Sequence, residues 1–300
     1  MRIAHFSDVH VTEDPRRIPW RALLGKRLTG WVNLKLFGRF ERFAEVPAIA
    51  RAFKEDVERQ EPDFLVFSGD VTALSLPSEF ARAAELFAPL LARTDIVGIP
   101  GNHDVYVRSE RSCRSFHAHF GCWERSDLPD LAGPDGYPII RLLGQRAAIV
   151  AAQSAVPRPL WDSSGELGPA ALQALERALR DPRIASRTKL VCIHYAPRRA
   201  SGRPDTRLHG LRDAEEFLSS AARGGAALVL HGHLHRRFVH GRGPVTPVPL
   251  ACVGSLTDAR RERAYHVYEI ADAEVRVHVR RYRDGAFHAD DGASAHILPI

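Results

Sequence analysis

The chain has 300 residues, 45% hydrophobic and 26% charged, which is enough apolar material for a substantial core. No run approaches the roughly twenty apolar residues that cross a bilayer, and the start lacks the apolar stretch and cleavage site of a signal peptide. The net charge of +6 is almost all arginine, with Lys26, Lys35, Lys54 and Lys189 the lysines. Arginine suits bidentate contact with phosphate, although GC-rich codons account for its abundance equally well. Acidic residues are interspersed almost everywhere, so no nucleic-acid polymer is expected as a partner.

In chain order, Arg2–Ser7 reads as a strand ending at Asp8, and Phe40–Gln60 carries apolar residues at helical spacing. Phe64–Phe67 is a continuous apolar run, as in a strand buried on both faces. A helix is predicted over Pro77–Arg93 and a strand over Asp95–Ile99. Further strands are expected at Tyr137–Leu143, Arg146–Gln153, Lys189–Ile193 and Ala226–Leu230, with helices at Gly168–Arg180 and Leu211–Arg223. After His235 the texture turns to β, at Val245–Val253, Ala264–Ile270, Glu274–Tyr282 and Ala286–His288. Cys192 and Cys252 sit in apolar runs as small core residues. No Cys-x-x-Cys pair is present, which fits a reduced compartment and a cytoplasmic protein.

Chemistry gathers where the strands end. Asp8-Val9-His10 follows the first strand, and Ser68-Gly69-Asp70 follows the second. Pro100-Gly101-Asn102-His103-Asp104 follows the third, and the later apolar runs end on His194 and on His231-Gly232-His233-Leu234-His235. Singly, each has an ordinary explanation as a turn, a cap or a core histidine. Together they place carboxylate, imidazole and amide donors at strand carboxyl ends, where ligands collect in α/β sheets. That donor mix suits Mn, Fe, Zn or Ni.

In this order the set resembles the calcineurin-like metallophosphoesterases: Asp8/His10, Gly69-Asp70, Gly101-Asn102-His103-Asp104, His194 and Gly232-His233-Leu234-His235. The resemblance implies a four-layer α/β/β/α sandwich with a β-rich C-terminal part, read as a single domain over residues 1–300. It implies two metal ions: Asp8, His10 and His235 on one, Asn102, His194 and His233 on the other, and Asp70 bridging. His103 would stabilise charge or protonate the leaving oxygen, with Asp104 fixing its ring. His231 reads as a supporting residue. The implied activity is metal-dependent hydrolysis of a phosphodiester or pyrophosphate in a small nucleotide-type substrate, as in bacterial cyclic-nucleotide phosphodiesterases.

Residues 14–42 stand apart as a basic insertion beside the site. Trp20, Leu23, Leu24, Leu28 and Trp31 recur at helical spacing, with Arg21, Lys26 and Arg27 around the turn. The segment is expected to cap the core at the rim of the metal cleft. It also has the composition of an interfacial membrane segment, which would place the protein at the inner membrane face. It resembles the loop of metallophosphoesterases that cleave UDP-diacylglucosamine pyrophosphate in lipid A synthesis. A metal-binding regulator with little catalysis is the reading from another class. The oligomeric state is not legible.

Overall fold

The computed structural model describes residues 1–36, 38–110, 113–271, 274–294 and 296–299, so Phe37 of the insertion lies outside the described residues. The strands are β1 (Arg2–Phe6), β2 (Phe64–Phe67), β3 (Ile96–Gly98), β4 (Ile139–Leu143), β5 (Ala147–Ala151), β6 (Thr188–Cys192), β7 (Leu228–His231), β8 (Phe238–His240), β9 (Leu250–Cys252), β10 (Ala264–Ile270), β11 (Glu274–Arg283), β12 (Ala286–Ala289) and β13 (His296–Pro299). The helices are α1 (Lys26–Leu36), α2 (Arg39–Arg42), α3 (Val46–Gln60), α4 (Pro77–Leu86), α5 (Ala88–Leu91), α6 (Arg114–Phe120), α7 (Pro169–Leu179) and α8 (Ala214–Arg223).

Two mixed sheets form. The first runs β12-β11-β10-β1-β2-β3, with β13 also on β11, and the second runs β4-β5-β6-β7-β9-β8. β1, β2 and β3 are parallel, as are β5, β6, β7 and β9. Strand alternation sorts the side chains into layers. Ile3, Val66 and Val97 from the first sheet share one buried cluster with Ile149, Leu190 and Leu228 from the second. Phe6 and Phe67 point the other way, where Phe6 meets Phe53 of α3 at 4.7 Å between ring centres. Val150 and Val191 likewise pack with Leu175 of α7 and Phe217 of α8. The result is the expected α/β/β/α order. Truncating a buried ring such as Phe53 to Ala would cost roughly 3–5 kcal/mol.

Several boundaries differ from the sequence reading. The helix expected over Phe40–Gln60 is two, separated before Pro47, and that over Pro77–Arg93 breaks at Phe87. The strand expected over Val245–Val253 shrinks to Leu250–Cys252, because Pro247 and Pro249 cannot donate to a ladder. The Trp20–Trp31 stripe is not one helix. A single 3-10 turn spans Trp20–Leu23, Leu24 is extended, and Gly25 sits at φ +80° before α1 begins. Leu23 and Leu34 turn inward onto Leu74 and Tyr106, while Trp20, Leu24 and Leu28 stay exposed.

Candidate metal centre

Parallel strands of both sheets deliver their carboxyl ends to one place. Asp8 and His10 follow β1, Asp70 follows β2, and Asn102, His103 and Asp104 lie in the loop after β3. His194 follows β6, and His233 and His235 lie in the turn after β7. Asp8, His10, Asp70, His233 and His235 all adopt left-handed backbone (φ 54, 50, 63, 70 and 51°). Non-glycine residues avoid that region unless the surrounding structure imposes it, and such strain clusters at functional sites. The loops also approach too closely for side chains at their glycines. A Cβ on Gly101 would lie 2.2 Å from Asp70 Oδ1, and one on Gly232 would lie 2.1 Å from Ser7 Oγ.

The tautomers follow from what each ring nitrogen faces. His10 Nδ1 donates to the Thr72 carbonyl (3.2 Å), His194 Nδ1 to Ser68 (2.8 Å) and His233 Nε2 to His209 (3.1 Å). His235 Nδ1 donates to Asp258 (2.8 Å). In its neutral form each ring therefore turns a lone pair inward, the pattern that outer carbonyls and carboxylates impose on metal-binding histidines. The inward atoms then face one another. His10 Nε2 and His235 Nε2 are 2.8 Å apart, and His194 Nε2 and His233 Nδ1 each lie 3.0 Å from Asn102 Oδ1. Asp70 Oδ2 stands 3.7 Å from His10 Nε2 and 3.4 Å from His194 Nε2. Asp8 Oδ1 is buried without a hydrogen-bond partner, 3.3 Å from His235 Nε2. Acceptors brought this close without protons repel unless positive charge sits among them. The donor set fits divalent cations.

Electrostatics says the same. Despite their burial, Asp8 and Asp70 are held well below the ordinary carboxylate range by the surrounding histidines. In return, against its own burial, the His194 pKa rises to about 9 beside Asp70 and Asp8. Burial lowers His10, although Asp8 pulls it upward, and it lowers His233 strongly. His235 is raised by Asp258 and Asp8 in spite of burial.

His103 lies at the same cleft with a different set of partners. Its Nδ1 donates to the Ala73 carbonyl (2.6 Å), and its Nε2 accepts from Arg39 Nη2 (3.1 Å). Tyr106 stacks on the ring, 5.2 Å away and 10° from parallel. Burial and Arg39 hold its pKa well below the usual histidine value. The expectation that Asp104 fixes this ring is corrected. Asp104 turns inward and accepts from the N–H groups of Gly101, Asp70, Val71 and Thr72 and from the Thr72 hydroxyl. Its carboxylate organises the Asp70 loop, because buried N–H groups must find acceptors. Burial and Asp70 raise its pKa to about 7, against the pull of those donors. His231 is buried behind the site, lowered to about 3 by desolvation.

The cleft is a cavity of about 490 Å³, lined on one side by Asp70, Asn102, His103, His233 and His235. Lys26, Thr29, Asn33, Arg39 and Arg42 of the insertion line it too, as do Leu160 and Trp161. Sequence reasoning missed Asp258. Its signal was available, since Gly254-Ser255-Leu256-Thr257-Asp258 follows β9 as the other clusters follow their strands. It also missed Arg42, which pairs with Asp258, and Arg39. Long basic side chains in an insertion give no sequence clue to their direction.

The sequence profile of the calcineurin-like phosphoesterases matches residues 1–237. The chain belongs to that family. It is therefore a phosphoesterase, a hydrolase of phosphoric ester bonds. A probable cyclic nucleotide phosphodiesterase of Synechococcus is 28% identical over 251 residues, covering 82% of this chain and 78% of that protein. Among solved structures, a dimetal phosphatase from Danio rerio superposes with a TM-score of 0.67 at 14% identity, over 96% of this chain and 98% of that one. GAP50, the anchor in the inner membrane complex of Plasmodium, superposes at 0.50 and 11% identity, over 96% and 88% of the two chains. Both solved structures share the fold of this chain. No helix among the described residues is long and apolar enough to cross a membrane.

Proposed function

We propose that this phosphoesterase uses two metal ions to cleave a phosphodiester or pyrophosphate bond of a small nucleotide-type substrate with water. The observation that carries the reading is the convergence of imidazole, carboxylate and amide-oxygen atoms on two neighbouring points, with Asp70 between them. Asp8, His10 and His235 would hold one cation, and Asn102, His194 and His233 the other, with Asp70 serving both. Two cations there would supply positive charge to phosphoryl oxygens and make water a stronger acid. Manganese or iron suits the mixed carboxylate and imidazole set.

The chain's own residues supply the rest. His103 would stabilise charge on the transferred group or protonate the leaving oxygen, held for either role by the Ala73 carbonyl. Arg39 and Arg42 add fixed positive charge to the same wall. The cavity volume falls in the range of small-molecule sites, and Trp161 and His209 give it ring faces on which a base can stack.

The test is a hydrolysis panel with manganese-loaded protein: cyclic nucleotides, nucleoside pyrophosphates and UDP-diacylglucosamine. The reading expects turnover of the soluble nucleotides, abolished by chelator. No turnover on any of them would favour a metal-binding regulator instead.

One observation favours a second reading, an acylated substrate. Leu160 and Trp161 line the cavity while remaining 50% and 76% exposed, and Trp20, Leu24 and Leu28 leave further apolar surface on the insertion. On that reading, changing Trp20 and Leu24 to Ser raises KM for UDP-diacylglucosamine and leaves a small diester unaffected. Equal losses on both would make the segment structural.

A further inference from the structure

A second concavity adjoins the catalytic cleft. It encloses about 530 Å³ and is lined by Arg199, Arg203, Arg236, Arg261, Leu234 and Phe238, among others. Leu234 and Arg261 also line the catalytic cavity, so the two share a wall. Leu234 stands between His233 and His235, which makes that wall the metal-centre turn itself.

Four guanidinium groups line this hollow and no carboxylate does. Arg199 has only a distant contact with Asp205, at 3.9 Å. Among the described residues, Arg203, Arg236 and Arg261 make no ion pair within 4 Å. Neighbouring arginines do pair: Arg237 with Glu262 at 3.0 Å, and Arg198 with Glu215 at 2.7 Å. All four side chains are exposed, so water screens their mutual repulsion, and the hollow presents an open surface of one sign to an anion. The planar fork of arginine matches the oxygens of phosphate. Half-buried Phe238 adds a flat apolar face beside those forks.

We propose that this basic hollow binds a second phosphate group of the same substrate, beyond the one being hydrolysed. The substrate is then a small molecule with two separate phosphate positions, one held at the metal centre and one by Arg199, Arg203 and Arg236. This rests on the phosphohydrolase reading above and deepens it.

The test compares two esters on the manganese-loaded full chain: the p-nitrophenyl ester of thymidine 5′-phosphate, and the same ester carrying a 3′-phosphate. The added phosphate should lower KM about tenfold or more, since charge-assisted hydrogen bonds are among the stronger polar contacts. The R203Q/R236Q double variant should lose that advantage while keeping its kcat and KM on the plain ester. Equal KM values in the wild type, or an advantage that survives the double variant, overturn the proposal. If neither ester is hydrolysed, the hollow is judged independently of turnover, by titrating metal-free protein with inorganic pyrophosphate. Binding about tenfold tighter to the wild type than to R203Q/R236Q then supports the anion site, and equal binding removes it.

Discussion

His103 differs from the other cleft histidines in what meets its inner nitrogen. His10, His194, His233 and His235 face fellow acceptors, whereas His103 Nε2 faces the Arg39 guanidinium at 3.1 Å. A cation is repelled from a nitrogen already turned to a guanidinium, so the proposed reading gives His103 to the reaction and leaves it out of the metal set, although it lies within ligand reach of His10 and Asp70. His103→Ala should lower kcat by about 10²–10⁴-fold with metal content unchanged by elemental analysis. Metal loss in step with activity would make His103 a ligand. Asp258 acts at one remove. Buried behind His235, it fixes which nitrogen carries the proton. Asp258→Ala should weaken metal binding by about 10–100-fold, as such outer partners typically do. A metal titration that matches the wild type would mean that Arg42 or packing positions the ring instead.

At the scale of elements, the loop after Asp70 is held by the side chain of Glu79. Glu79, in the first turn of α4, accepts from the N–H groups of Leu74 (2.8 Å) and Leu76 (3.2 Å) and is fully buried. Burial raises its pKa to about 7, despite the donors that favour its charged form. Its folded pKa thus exceeds its unfolded one, so the folded state holds the proton more tightly. The stability this proton contributes is full below about pH 4.5 and is lost as pH rises through about 7. The carbonyl of a glutamine can still accept both N–H groups. Glu79→Gln should therefore flatten the fall in stability between pH 5 and 7, an effect on the order of 3 kcal/mol. Denaturant melts of the two proteins at both pH values measure this, and parallel profiles would mean that Glu79 stays ionised. The insertion illustrates how one glycine decides an element. The apolar stripe continues through Leu24, but Gly25 at φ +80° ends the turn there. Leu23 consequently points inward and its neighbour Leu24 outward.

At the scale of the whole molecule, the candidate metal centre spans the two sheets. Asp8, His10 and Asp70 come from the first sheet, and His194, His233 and His235 from the second. Cations held between them would tie the layers together and stabilise the fold by mass action, about 2.7 kcal/mol at a hundred times the dissociation constant. Chelation should therefore lower Tm by several degrees in a calorimetric scan, and added manganese should restore it. An unchanged Tm would mean that this donor set takes no ion.

The sequence by itself determined the five strand-end clusters and their family order, because close-approach glycines and donor side chains leave no freedom of residue type. It also determined the strands of the central sheets, whose continuous apolar runs reflect burial on both faces. Tertiary structure decided what depends on direction in space. Asp104 turns to the backbone and away from His103, because the N–H groups of residues 70–72 need an acceptor. Arg39, Arg42 and Asp258 enter the cleft from segments distant in sequence from the residues they meet, His103 for Arg39 and His235 for Arg42 and Asp258. The helix ends moved for the same reason. Periodicity records which face of a helix is buried, whereas packing against neighbours fixes where the helix stops.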